Sequence, residues 1–103
     1  MKKILLACNA GMSTSMLVRK MRAAAEELGI EADINAVSLT EANDLIADVD
    51  VVLLGPQVKF QKAAVEKVAA GRAPVGVIDM RDYGTMNGKK VLQTALDMID
   101  AEG

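Results

Sequence analysis

The chain is 103 residues long, 51% hydrophobic and 25% charged, with 12 basic against 14 acidic residues and a formal net charge of -2. That length suits one domain with a single core, and scattered basic residues in an acidic balance argue against a nucleic-acid partner. With no histidine, only Phe60 and Tyr83 as aromatics and Cys8 as the sole cysteine, the chain lacks histidine-dependent catalysis, a phosphohistidine of its own, histidine metal sites, base-stacking platforms and any internal disulfide.

Apolar runs alternate with helical periods along the chain. Lys3–Ala7 reads as a strand, and about Thr14–Leu28 as a helix closed by Gly29. Ala32–Val37 reads as a second strand whose Asp33 and Asn35 alternate with apolar neighbours, as on a sheet edge. Ser38-x-x-Glu41 then matches a capping box opening a short helix to about Ala47. Val51–Leu54 is a continuous apolar strand ended by Gly55-Pro56, and a helix is expected from about Lys59 to Ala70, stopping at Gly71. Val75–Ile78 forms the last strand. A loop around Asp79–Gly84 follows, and then a helix from about Gly88 to Asp100.

This alternation predicts an α/β fold: a single-domain, open, four-stranded parallel sheet in the order 2-1-3-4 with helices on both faces. The winding reverses between the first and third strands, which opens a crevice at the strand carboxyl ends. Cys8, Gly55-Pro56-Gln57 and the Asp79–Gly84 loop all fall there. No apolar run approaches the ~20 residues of a membrane span. With Met1-Lys2-Lys3 leading directly into the first strand, a cytoplasmic location is expected.

A lone cysteine at a strand end is most simply a small buried hydrophobe. The residues after Cys8 point elsewhere. Asn9-Ala10-Gly11-Met12-Ser13-Thr14-Ser15 is a small-residue loop running into a helix. Its unpaired N–H groups and the positive helix end together favour an anion. The backbone of residues 10 to 15 is the candidate phosphate cradle, and the hydroxyls of Ser13, Thr14 and Ser15 can either cap the helix or donate to an anion. The same features would stabilise a thiolate without a basic side chain. A nucleophile and an oxyanion cradle in one loop suggest that Cys8 carries a phosphoryl group.

Low-molecular-weight cysteine phosphatases use Cys-x5-Arg, in which the arginine clamps the transferring phosphoryl group. Here Thr14 stands six residues after Cys8, and Arg19 lies more than a helical turn further on. Without that clamp a hydrolytic transition state is poorly stabilised, which favours a carrier.

Cys8-Asn9-Ala10-Gly11-Met12-Ser13-Thr14-Ser15 resembles the Cys-x-Ala-Gly-Met-Ser-Thr-Ser loop of enzyme IIB of the sugar phosphotransferase system (PTS), lactose/cellobiose (chitobiose) type. The resemblance continues through Leu17-Val18, Lys20-Met21-Arg22, Val51–Gln57, Ile78-Asp79 and Tyr83-Gly84, and so covers essentially the whole chain, residues 1 to 103. It implies that a phosphohistidine on a partner IIA protein phosphorylates Cys8. The phosphocysteine would then give the group to a sugar in transit through the membrane component IIC, a β-linked disaccharide such as cellobiose, chitobiose or lactose. It further implies a fold like that of low-molecular-weight tyrosine phosphatases.

Met12 and Met16 near the helix start, with Met80 and Tyr83, are expected to form a soft rim for successive partners, since methionine adapts to differently shaped surfaces. Gln57 at the crest of the third strand is a further partner contact. Asp79 and Asp82 are read as loop caps or solvent contacts rather than a general acid. No metal or organic cofactor is expected, and repeated transient docking suits a monomer. The rival readings are a small cysteine phosphatase and a regulatory module that binds an anion without chemistry.

Overall fold

Strand β1 (Lys2–Cys8) sends Ile4 and Leu6 into one apolar cluster and Leu5 and Ala7 into another, because successive side chains point to opposite faces of a sheet. β3 (Val51–Leu54) divides in the same way, with Val51 and Leu53 on one side and Val52 and Leu54 on the other. Strands buried on both faces need apolar residues at every position, and all four residues of β3 are buried. The computed structural model describes residues 1–8 and 12–102, the side chains of Met12, Ser13 and Glu102 excepted.

β2 (Ala32–Ser38) and β4 (Val75–Val77) complete a parallel sheet of order β2-β1-β3-β4. Helices α1 (Met12–Leu28) and α5 (Gly88–Glu102) cover one face through Leu17, Met21, Leu92 and Ala95. On the other face, α2 (Leu39–Leu45) and α3 (Lys62–Ala69) contribute Ala42, Val65 and Ala69. The expected architecture, sheet order and two-sided covering are therefore all present.

Local signals explain several boundaries. α1 ends where Gly29 takes a φ of +71°. Its N–H bonds to Glu26 O and that of Ile30 to Ala25 O, a Schellman closure. Ser38 caps α2 by accepting from the Glu41 N–H at 3.3 Å. On the edge strand β2, the Arg22 guanidinium donates to Ile34 O through Nε at 3.0 Å and Nη2 at 2.6 Å. That contact ties α1 to the edge and occupies an edge carbonyl.

Three segments depart from the sequence expectation. α2 stops at Leu45 and continues as a 3-10 turn, Ile46–Asp48. The helix expected from Lys59 is a 3-10 turn over Pro56–Gln61, with Val58 at non-helical φ/ψ of −119° and 23°, and α3 begins only at Lys62. The Asp79–Gly84 loop contains a short helix, α4 (Met80–Gly84). Asp79 caps it, accepting from the N–H groups of Arg81 (2.8 Å) and Asp82 (3.3 Å). No helix among the described residues is long and apolar enough to cross a membrane.

Candidate functional site

Cys8 ends β1, a central strand, and lies in register with Ser38 at the end of β2. On its other side the chain leaves β3 through Gly55, whose N–H donates to Ala7 O at 2.9 Å. The thiol is thus held at the carboxyl end of the sheet. Its sulfur lies 2.7 Å from Thr14 Oγ1 in the first turn of α1, and that hydroxyl lies 3.1 Å from the Tyr83 hydroxyl of α4. Three elements therefore meet in one chain of polar atoms.

All three side chains are buried, at 5% exposure for Cys8, 2% for Thr14 and 8% for Tyr83. A thiol open to solvent on all sides is not what the fold presents. Thr14 lies against the sulfur, which borders a cleft of about 250 Å³ lined also by Ser15, Ser38 and Glu41. The cleft places Thr14, Ser15 and Ser38, together with the acidic Glu41, on the β2 side of the nucleophile.

The candidate residues separate into distinct groups. Thr14 lies against Cys8, and Ser15 is exposed in the same cleft. The Thr14 hydroxyl faces Cys8 and Tyr83. Ala10 and Gly11 lie outside the described residues, as do the side chains of Met12 and Ser13. Met16 and Met80 are exposed, at 52% and 68%, and Gln57 is exposed as well. The placing of Tyr83 on a docking rim is corrected: its ring packs in the core cluster beneath α1 and α5, and its hydroxyl points to Thr14.

Sequence reasoning passed over Ser38 and Glu41 as site residues. The sequence reading ends the two strands at Ala7 and Val37, whereas in the structure each runs one residue further and pairs Cys8 with Ser38. It passed over Phe60 too, 74% exposed in the turn after β3. Asp79 and Asp82 act in and near the α4 cap, as the simpler reading holds. Among the described residues, no group of three or more cysteine, aspartate or glutamate side chains could hold a metal ion.

The family model for the PTS system, Lactose/Cellobiose specific IIB subunit, matches residues 3–94. The chain is 47% identical to the oligo-beta-mannoside-specific EIIB component of Bacillus subtilis (strain 168), over 96% of this chain and 97% of that protein. It is also 47% identical to the cellobiose-specific EIIB component of Lactococcus lactis subsp. lactis (strain IL1403), with the same coverage of 96% and 97%. The solution structure of a cellobiose-specific phosphotransferase IIB component from Borrelia burgdorferi superposes with a TM-score of 0.82 at 42% identity, over 99% of this chain and 94% of that one. A lactose-specific IIB domain from Streptococcus pneumoniae shares the fold, with a TM-score of 0.84 at 18% identity, over 94% of this chain and 96% of that one.

Proposed function

The chain belongs to the lactose/cellobiose-specific IIB family of the phosphotransferase system, a phosphoryl-transfer component of sugar transport, and from that premise we propose that Cys8 is the residue that carries the phosphoryl group. A IIB component works with IIA and IIC partners. The observation that carries the assignment is the position of the Cys8 sulfur: on a cleft at the carboxyl end of the central sheet, 2.7 Å from the Thr14 hydroxyl.

The donor in this reading is a phosphohistidine on IIA. As the Cys8 thiolate attacks in line, the S–P bond forms and the N–P bond breaks, its electron pair returning to the imidazole nitrogen. In the second transfer a sugar hydroxyl oxygen attacks phosphorus. The S–P bond breaks with its pair left on sulfur, and the hydroxyl proton passes to a base on the IIC side or to water. Backbone N–H groups of residues 10 to 15, with the Ser13, Thr14 and Ser15 hydroxyls, cradle the phosphoryl oxygens. Thr14 stands where a phosphatase of this fold has arginine, so a neutral hydroxyl replaces the charged clamp and water attack is poorly assisted.

Met12, Met16, Met80 and Gln57 meet the partners around the cleft mouth, and the protein acts as a monomer at the cytoplasmic face of the membrane without metal or organic cofactor. The sugar is a β-linked disaccharide of the cellobiose, chitobiose or lactose kind, delivered through IIC; cellobiose- and oligo-beta-mannoside-specific relatives support that class.

Reconstitution tests the reading. Label from a phosphorylated IIA protein should pass to this protein and then, with IIC-containing membranes, to a disaccharide. p-Nitrophenyl phosphate should be left almost unhydrolysed. Rapid release of p-nitrophenol without transfer to sugar would establish the phosphatase instead.

A further inference from the structure

The chain of polar atoms behind Cys8 has hydrogen-bond directions that one proton count would fix. Three heteroatoms, Cys8 Sγ, Thr14 Oγ1 and Tyr83 Oη, are joined by two contacts, of 2.7 Å and 3.1 Å. With a neutral thiol the three groups hold three protons for two links, so one proton has no acceptor within the chain. With a thiolate they hold two protons for two links. The direction of both is then forced: a sulfur anion can only accept, so Thr14 donates to it, and Thr14 Oγ1 in turn accepts from Tyr83. Among the described residues no further hydrogen-bond partner reaches these side-chain atoms; the sulfur also borders the open cleft, which the acidic Glu41 lines as well.

We propose that Tyr83 is a positioning residue for phosphoryl uptake: by donating to Thr14 Oγ1, its hydroxyl turns the Thr14 proton onto the Cys8 sulfur and favours the thiolate. The proposal rests on the reading of Cys8 as the phosphoryl carrier. Burial strengthens each link, since hydrogen bonds in a low-dielectric setting polarise one another. The ring is fixed by the core cluster and by the capped helix α4 that bears it, so the hydroxyl is held in place before any partner arrives. Tyr83 needs no contact with phosphate, sugar or donor in this role.

The pH dependence of Cys8 alkylation by iodoacetamide tests this on the intact protein and needs no partner. Tyr83→Phe should move the alkylation profile to higher pH and slow the reaction at neutral pH by about fivefold, the worth of one neutral hydrogen bond. Thr14→Val, which removes the bond to the anion itself, should slow it by about tenfold or more. Thr14→Ser should restore most of the rate. Tyr83→Phe should add nothing in the Thr14→Val background. A profile for Tyr83→Phe that coincides with wild type, or an equal effect in the two backgrounds, overturns the proposal.

Tyr83 is the only tyrosine, so biosynthetic replacement by 3-fluorotyrosine provides a second measurement should Tyr83→Phe fail to fold. As a stronger donor while protonated, it should speed alkylation below neutral pH, and an unchanged rate contradicts the role. Failure of the wild type to accept phosphate from IIA would instead defeat the carrier reading, and that result is read separately from the alkylation profile.

Discussion

Gly55 leaves β3 so close to Cys8 that a Cβ built on it would stand 3.0 Å from the Cys8 Cβ. The backbone there is ordinary extended chain, with φ of −62° and ψ of 149°, so glycine is required by space rather than by torsion. The same Cβ would meet Gln57 Oε1 at 2.8 Å, but that amide is the free end of a flexible side chain. Cys8 belongs to a central strand and cannot yield as easily.

Gly55→Ala should therefore press on the thiol. Overpacking of this kind costs about 1–3 kcal/mol, and the displaced sulfur should lose its close approach to Thr14. Urea denaturation with phosphoryl uptake measured in parallel checks this. Uptake per folded molecule is expected to fall several-fold, whereas an unchanged rate would mean that the site tolerates the shift.

Gly88 provides a contrast remote from the sulfur. A Cβ there would stand 2.5 Å from the carbonyl carbon of Lys20 and 2.6 Å from the Met21 nitrogen. Both are backbone atoms of α1, and neither can swing aside. Gly88→Ala should force α1 and α5 apart, at a cost of about 1–3 kcal/mol, or roughly 5 °C or more in Tm. Uptake per folded molecule should stay near wild type, measured below the transition.

Asp79 separates capping from acid catalysis. Its carboxylate accepts from two N–H groups of α4, the helix that bears Tyr83. Asp79→Ala should cost about 1 kcal/mol and loosen Tyr83, while Asp79→Asn, which keeps an acceptor oxygen, should retain most of that stability. Thermal melts of the pair check the cap. If Asp79→Asn abolishes phosphoryl transfer while melting like wild type, the side chain has a chemical role that capping does not explain.

The legible parts of the fold were those with a local cause. Four apolar residues at Val51–Leu54 announce a strand covered on both sides, and Gly29 and Ser38 mark helix ends through a positive φ and a cap. The five residues of α4 are too few to display a helical period, so only the Asp79 cap could have revealed it. Lys59, Phe60 and Gln61 read as the start of a helix but belong to the 3-10 turn Pro56–Gln61, and a 3-10 turn has no apolar period of its own to set it apart. At the site, the helix that follows the small residues after Cys8 was legible from its apolar spacing. The Thr14–Tyr83 contact spans 69 positions. No periodicity or cap encodes such a pairing; it follows from packing α4 under α1.

The most direct measurement is peptide mapping by mass spectrometry after exposure to a phosphorylated IIA protein, comparing wild type with Cys8→Ser. Serine fits the same volume and preserves a hydrogen bond to Thr14, so the variant should fold as wild type does. The expected result is a phosphoryl group on the peptide containing Cys8, absent from the folded Cys8→Ser protein. Phosphate on any other residue, or undiminished labelling of Cys8→Ser, would contradict the assignment of Cys8 as the carrier.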